Sequence, residues 1–321
     1  NVTILSPTTG PALGGSPAMM LGGTGLHTYG GLHGGSHYRC RFGSDTYTTA
    51  TVSASLDEAY CVAPAGIPTL HVPVALSLNG QQFHAAPSNY DRLASASATS
   101  LSVASPTSGP ILGGTFVTIS LPGGGGGGIG PSLGGGDDYR CRFAAPPADG
   151  NDTRTTMYNA EYAGVVSHAT YHPINGSVTC VSPPTPSALA ASAANFTLQL
   201  ASNRLHFEKV TSWEYYDDAV ISSLSPSSGP LAGGAQLMLI GYGFERGSHP
   251  NCWLGDGRSN ATAYEGGSRL RCVSPPGNAS GAYHTLVRIS LNAQQASDEA
   301  NFSFYPTPSL RELVPDSGDA G

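Results

Sequence analysis

Ser6-Pro7-Thr8-Thr9-Gly10-Pro11-Ala12-Leu13-Gly14-Gly15 returns twice along the chain, as Ser105-Pro106-Thr107-Ser108-Gly109-Pro110-Ile111-Leu112-Gly113-Gly114 and as Ser225-Pro226-Ser227-Ser228-Gly229-Pro230-Leu231-Ala232-Gly233-Gly234. Each copy leads into an apolar or alternating run, clearest in Phe116–Ser120 and Gln236–Ile240. A Gly-Gly turn feeding such a run predicts a strand, and the proline marks where an edge strand breaks, because it has no N–H to give to a ladder. Self-similarity at this spacing means a tandem array, so the chain is read as three copies of one unit.

Two further blocks keep step with the first. Tyr38-Arg39-Cys40-Arg41-Phe42 and Tyr139-Arg140-Cys141-Arg142-Phe143 match, with Asn251-Cys252-Trp253-Leu254 as a looser third. Cys61-Val62-Ala63-Pro64, Cys180-Val181-Ser182-Pro183-Pro184 and Cys272-Val273-Ser274-Pro275-Pro276 follow. Each unit ends in a hairpin-like stretch closing on aromatics: Val72–Asn79 to Asn89-Tyr90, Phe196–Leu200 to Trp213-Glu214-Tyr215-Tyr216, and Leu286–Leu291 to Asn301-Phe302-Ser303-Phe304-Tyr305. Alternation of apolar and polar residues places one face of each strand inward.

This order of blocks resembles the IPT/TIG domain, an immunoglobulin-like unit found in plexins, the hepatocyte-growth-factor receptor and fibrocystin-like surface proteins. The resemblance implies an all-β chain of three immunoglobulin-like sandwiches in an elongated array: domain 1 at 1–93, an Ala/Ser linker at 94–100, domain 2 at 101–219 with a Gly-rich insertion, and domain 3 at 220–308. Residues 309–321 are expected to be the first strand of a fourth unit or an inter-subunit strand, since Leu313-Val314-Pro315-Asp316-Ser317-Gly318 repeats Leu224-Ser225-Pro226-Ser227-Ser228-Gly229. Self-association is expected at Leu310, Leu313 and Val314.

Six cysteines fall two per unit, and although fifteen pairings are formally open, within-unit bridges Cys40–Cys61, Cys141–Cys180 and Cys252–Cys272 are expected because each unit folds round its own core. No Cys-x-x-Cys or His-rich partner stands at zinc spacing, so no metal is expected. Asn-x-Ser/Thr sequons begin at Asn1, Asn151, Asn175, Asn195, Asn260, Asn278 and Asn301. Together with paired cysteines they point to the secretory route and an extracellular or cell-surface location, with covalent glycans.

Composition narrows the function. Only 11% of the 321 residues are charged and the net charge is −7, which leaves no basic footprint for nucleic acid. No apolar run approaches the length of a membrane helix. The 43 glycines and 25 prolines punctuate strands rather than build helices. Poly-Gly at 123–128 lacks the Gly-Lys-Ser/Thr end of a phosphate cradle and reads as a loop. His27, His33 and His37 lie among glycines that oppose a chelating helix, and Asp91 and Asp217-Asp218 are too few to hold calcium. Trp213 and Trp253 stand where a sandwich usually buries a ring. Nothing resembles a catalytic setting, so neither enzymatic activity nor a cofactor is expected.

The leading functional expectation is a structural or adhesive glycoprotein whose Ig-like rod associates with itself, head to tail or in a filament, or with other surface glycoproteins. The alternatives are a ligand-binding ectodomain of a plexin-like or fibrocystin-like receptor, and an accessory carbohydrate-binding array of a secreted enzyme.

Overall fold

The computed structural model describes residues 1–12, 14–15, 19–26, 37–53, 57–67, 69–93, 103–120, 136–145, 164–185, 196–264, 266–278, 281–309, 311–312 and 314. Linker residues 94–100, the poly-Gly run 123–128, His27, His33, Asn151, Asn195, Leu310 and Leu313 lie outside that set.

Among the described residues every regular element is a strand, and eight strands recur three times. The first repeat contains β1 (Val2–Ser6), β2 (Thr9–Pro11), β3 (Met19–Gly23), β4 (Arg39–Phe42), β5 (Thr46–Val52), β6 (Glu58–Cys61), β7 (Thr69–Ser77) and β8 (His84–Leu93). Their hydrogen-bonded order is β1-β3-β6-β5-β4-β7-β8-β2. The second repeat contains β9 (Val103–Ser105), β10 (Ser108–Pro110), β11 (Phe116–Ser120), β12 (Arg140–Ala144), β13 (Gly164–His172), β14 (Ser177–Val181), β15 (Phe196–Ala201) and β16 (Glu208–Tyr216). The third contains β17 (Val220–Ser225), β18 (Ser228–Pro230), β19 (Gln236–Tyr242), β20 (Asn251–Leu254), β21 (Gly257–Tyr264), β22 (Arg269–Val273), β23 (Tyr283–Ser290) and β24 (Ala296–Tyr305). Both follow the same order, so the chain is all-β with three immunoglobulin-like sheets in tandem.

The fifth strand of each repeat joins the two layers. In β5 the first half pairs with β4 and the second half with β6. The same division occurs in β13, between β12 and β14, and in β21, between β20 and β22. The disulfides Cys40–Cys61, Cys141–Cys180 and Cys252–Cys272 connect the two strands that flank this crossover, and no described cysteine is free.

By packing the chain divides into two compact units, residues 1–107 with 112–213, and residues 108–111 with 214–321. In the first unit, Met19, Leu21, Ala59 and Cys61 from one layer meet Cys40, Phe42, Val74, Leu76 and Tyr90 from the other. The core of the second unit gathers Leu237, Leu239, Leu270 and Cys272 against Cys252, Leu254, Val287, Ile289, Phe302 and Phe304. The missing Phe of the third Cys-x-Phe block is thus explained: Leu254 takes that inward position, and Phe304, 5.1 Å from Phe302, supplies a second ring.

The first and third sequence blocks recur together because they touch. The second glycine of each Gly-Gly pair donates its N–H to the residue two beyond the Cys: Gly15 to Ala63, Gly114 to Ser182, and Gly234 to Ser274. The first glycine has a positive φ, and a Cβ there would stand 2.4 Å from Ala65 N at Gly14, 2.5 Å from Pro183 C at Gly113 and 2.7 Å from Pro275 C at Gly233. Gly234 also has a positive φ but faces open space. Gly234→Ala is therefore expected to cost about 1 kcal/mol from backbone strain alone, and Gly233→Ala at least about twice that, because rigid backbone must shift as well. Urea denaturation of the two variants side by side checks the ratio.

Candidate functional site: the corner between strands of opposite layers

In every repeat the Pro-x-x-Gly-Pro block turns a corner. β1 pairs antiparallel with β3, then the chain crosses at the cis Ser6-Pro7 bond and β2 pairs parallel with β8 in the other layer. A proline at this point ends the first ladder, as its missing donor requires. Ser105-Pro106 and Ser225-Pro226 are cis at the same place, before β10 pairs with β16 and β18 with β24. The glycine of the block makes room for the closing aromatic: a Cβ on Gly10 would lie 1.9 Å from Tyr90 Oη, and one on Gly229 would lie 2.9 Å from Phe302 Cζ.

The corner also binds. Inside the first compact unit, Asp137 takes the Thr8 N–H on Oδ2 at 3.0 Å, the Thr8 hydroxyl at 2.6 Å, and the Thr9 hydroxyl on Oδ1 at 3.3 Å. Asn203 donates its amide to the Thr9 carbonyl at 2.8 Å. Inside the second unit, the Ser248 N–H donates to Ser108 Oγ at 2.7 Å, and the two hydroxyl oxygens are 3.1 Å apart.

Asn203 is held for this task by its own hairpin. Its Oδ1 accepts from the N–H groups of Leu205 and His206. Asn79 accepts likewise from Gln81 and Gln82, and Asn292 from Gln294 and Gln295. The residue after each asparagine is left-handed, with φ of 78° at Gly80, 66° at Arg204 and 63° at Ala293. Only the first is a glycine, so the Asn-Gly turn signal that would have revealed the pattern is present once in three. Asn203 is 2% exposed and uses both ends of its amide, so Asn203→Ala should cost about 2 kcal/mol in the first unit. Asp137 is exposed, and Asp137→Ala should cost less; equilibrium unfolding separates the two.

Next to the first corner, burial pushes the Tyr90 phenol up to about 12, with Arg92 drawing it down and Asp137 adding to the rise. Burial also raises Tyr215 and Tyr216, the latter aided by Asp218. Folded phenols thus keep their protons above the ordinary value of 10.0, at which an unfolded chain releases them. Their contribution is complete below about pH 10 and falls as pH climbs towards 12. Thermal melts followed by circular dichroism should show stability declining above pH 10.

The sequons at Asn1, Asn175, Asn260, Asn278 and Asn301 all carry exposed asparagines. Val314 is 78% exposed. His37 forms an isolated bridge with Asn79, and Asp91 accepts the N–H of His71. Asp217 and Asp218 are exposed, and among the described residues no group of three or more His, Cys, Asp or Glu is placed to hold a metal. Trp213 is buried, whereas Trp253 is half-buried with the Arg258 guanidinium 4.5 Å from its ring centroid. Trp253 differs from the buried ring expected because it occupies the outward position of β20, between inward Cys252 and Leu254. The corresponding outward arginines, Arg41 and Arg142, lie over Phe83 and Phe207.

The profile of the IPT/TIG domain matches residues 219–304. The third repeat is an IPT/TIG domain. The first two repeats share its strand order and its sequence blocks, and each carries a bridge at the same place. Mouse fibrocystin-L is 32% identical over 102 residues, a match covering 32% of this chain and 2% of that protein. Among solved structures, the plexin A4 extracellular region aligns over 99% of this chain and 26% of its own at 15% identity and a TM-score of 0.42. The Escherichia coli adhesin FdeC aligns over 96% of both chains at 14% identity and a TM-score of 0.24. Among the described residues no helix is long and apolar enough to cross a membrane.

Proposed function

We propose that this chain is an extracellular stretch of a fibrocystin-like surface protein, in which disulfide-bridged IPT/TIG repeats hold exposed loops for a ligand or for neighbouring glycoproteins and carry out no catalysis. The observation that carries this reading is the match to mouse fibrocystin-L at 32% identity over 102 residues. Three bridges in a chain without a free described cysteine support an oxidising compartment, and five exposed sequons suit glycan attachment on the secretory route. The ectodomain reading thereby moves ahead of the self-associating coat or filament, for which exposed Val314 is the remaining support.

Expressing the complete gene with an epitope tag tests it. The expected result is a surface-biotinylated protein whose mobility increases after removal of N-linked glycans and whose cysteines resist alkylation without reduction. An unglycosylated cytosolic product with reactive thiols would sink the proposal. A secreted polymer would favour the filament instead.

A further inference from the structure

The same corner is covered twice and open once. In the first repeat Pro7 is buried and Thr9 is 4% exposed, under Asp137 and Asn203. In the second repeat Ser108 is 1% exposed, with Ser248 of the same compact unit bonded to it. In the third repeat Pro226, Ser227 and Ser228 are all exposed. Strand pairing is not the cause, because Ser228 pairs with Ser303 as Thr9 pairs with Asp91 and Ser108 with Glu214.

We propose that Pro226–Ser228 is a docking seat and that its occupant is a fourth IPT/TIG repeat beginning near Leu313. The sequence chooses this occupant over others. Leu313-Val314-Pro315-Asp316-Ser317-Gly318 repeats the opening of the third unit, and Pro315 follows Phe302 by thirteen residues, the spacing at which Pro226 follows Trp213. Phe302 and Trp213 are the equivalent closing aromatics, since each precedes by one the residue that pairs with the x-Gly-Pro segment. The fourth opening is therefore in phase with the third. Tethering by so short a segment gives a following repeat a high effective concentration at the seat, which a separate copy of the chain lacks.

The seat has definite chemistry. Ser227 and Ser228, the counterparts of Thr8 and Thr9, are both exposed there. The matching loop of the occupant must supply either a carboxylate, as Asp137 does, or a serine hydroxyl with its N–H, as Ser248 does, just before the bridge residue that pairs with its hairpin asparagine. This places the joining contact at the corner rather than at Leu310, Leu313 and Val314 themselves.

Hydrogen exchange with peptic peptides spanning 5–12, 104–111 and 224–231 tests the assignment, in chain 1–321 and in the complete protein purified from its source. In chain 1–321 the first two corners should be protected and the third should exchange about ten-fold faster. In the complete protein the third should slow to match them, and Ser228→Arg should restore its fast exchange while leaving the other two unchanged. Fast exchange at 224–231 in the complete protein would overturn the proposal. Protection of that peptide in chain 1–321 that grows with protein concentration would overturn it too, by assigning the seat to a second copy.

Discussion

Trp213→Ala should destabilise the first compact unit by about 4 kcal/mol, and secreted yield should fall with it. Trp213 is 1% exposed, stands opposite Phe196 across β15 and β16, and meets Phe143 edge-on with ring centroids 5.0 Å apart. Truncation removes the largest side chain of that core, and the loss combines the transfer of a large apolar surface with the cavity it leaves. Collapse into the space is opposed on two sides. Phe143 lies two residues beyond Cys141, whose bridge to Cys180 fixes β12, and β16 is tied to β10 by the parallel pairs Ser108 to Glu214 and Pro110 to Tyr216. Trp213→Phe keeps a ring against Phe143 and should cost about 1–2 kcal/mol, nearer the volume-conserving limit. Denaturant unfolding of both variants decides the matter: equal losses would show that the indole's size is not what the site uses.

The sequence made the three repeats readable because short-range needs repeat with them. A sheet-switching corner needs its proline, a positive φ against rigid backbone needs Gly14, Gly113 and Gly233, and inward positions two apart need Cys40 and Phe42. Less was legible where the partner is far along the chain. Asp137 reaches Thr8 across 129 residues, and no local pattern distinguishes it from Asp138 beside it, which pairs with Arg140 instead. The crossover strands were hidden for a different reason. β5, β13 and β21 each serve two layers, and although their exposure alternates, Ala50 and Ala261 are the only fully buried residues among their described side chains, so the apolar contrast that marks a strand is weak. The hairpin asparagines were obscured because Arg204 and Ala293 occupy left-handed positions that a glycine would have announced.

Removing the bridges should rank the repeats by the length of chain each one closes. Cys141 and Cys180 are 39 residues apart, against 21 for Cys40 and Cys61 and 20 for Cys252 and Cys272. In the loop-entropy description the double replacement Cys141→Ala with Cys180→Ala should cost about 3.9 kcal/mol, and the other two pairs about 3.3 kcal/mol each. The difference, about 0.6 kcal/mol, comes from the unfolded chain, in which the longer loop recovers more freedom. The native ends give it no other source, since the Cα atoms are 6.3, 6.4 and 6.3 Å apart and every bridge spans the strands flanking its crossover. Shortening the segment between β12 and β13 should then bring the second repeat's loss down towards those of the other two. If the three losses are equal and insensitive to that deletion, the bridges act through packing in the folded core rather than through the unfolded chain, and the ranking fails.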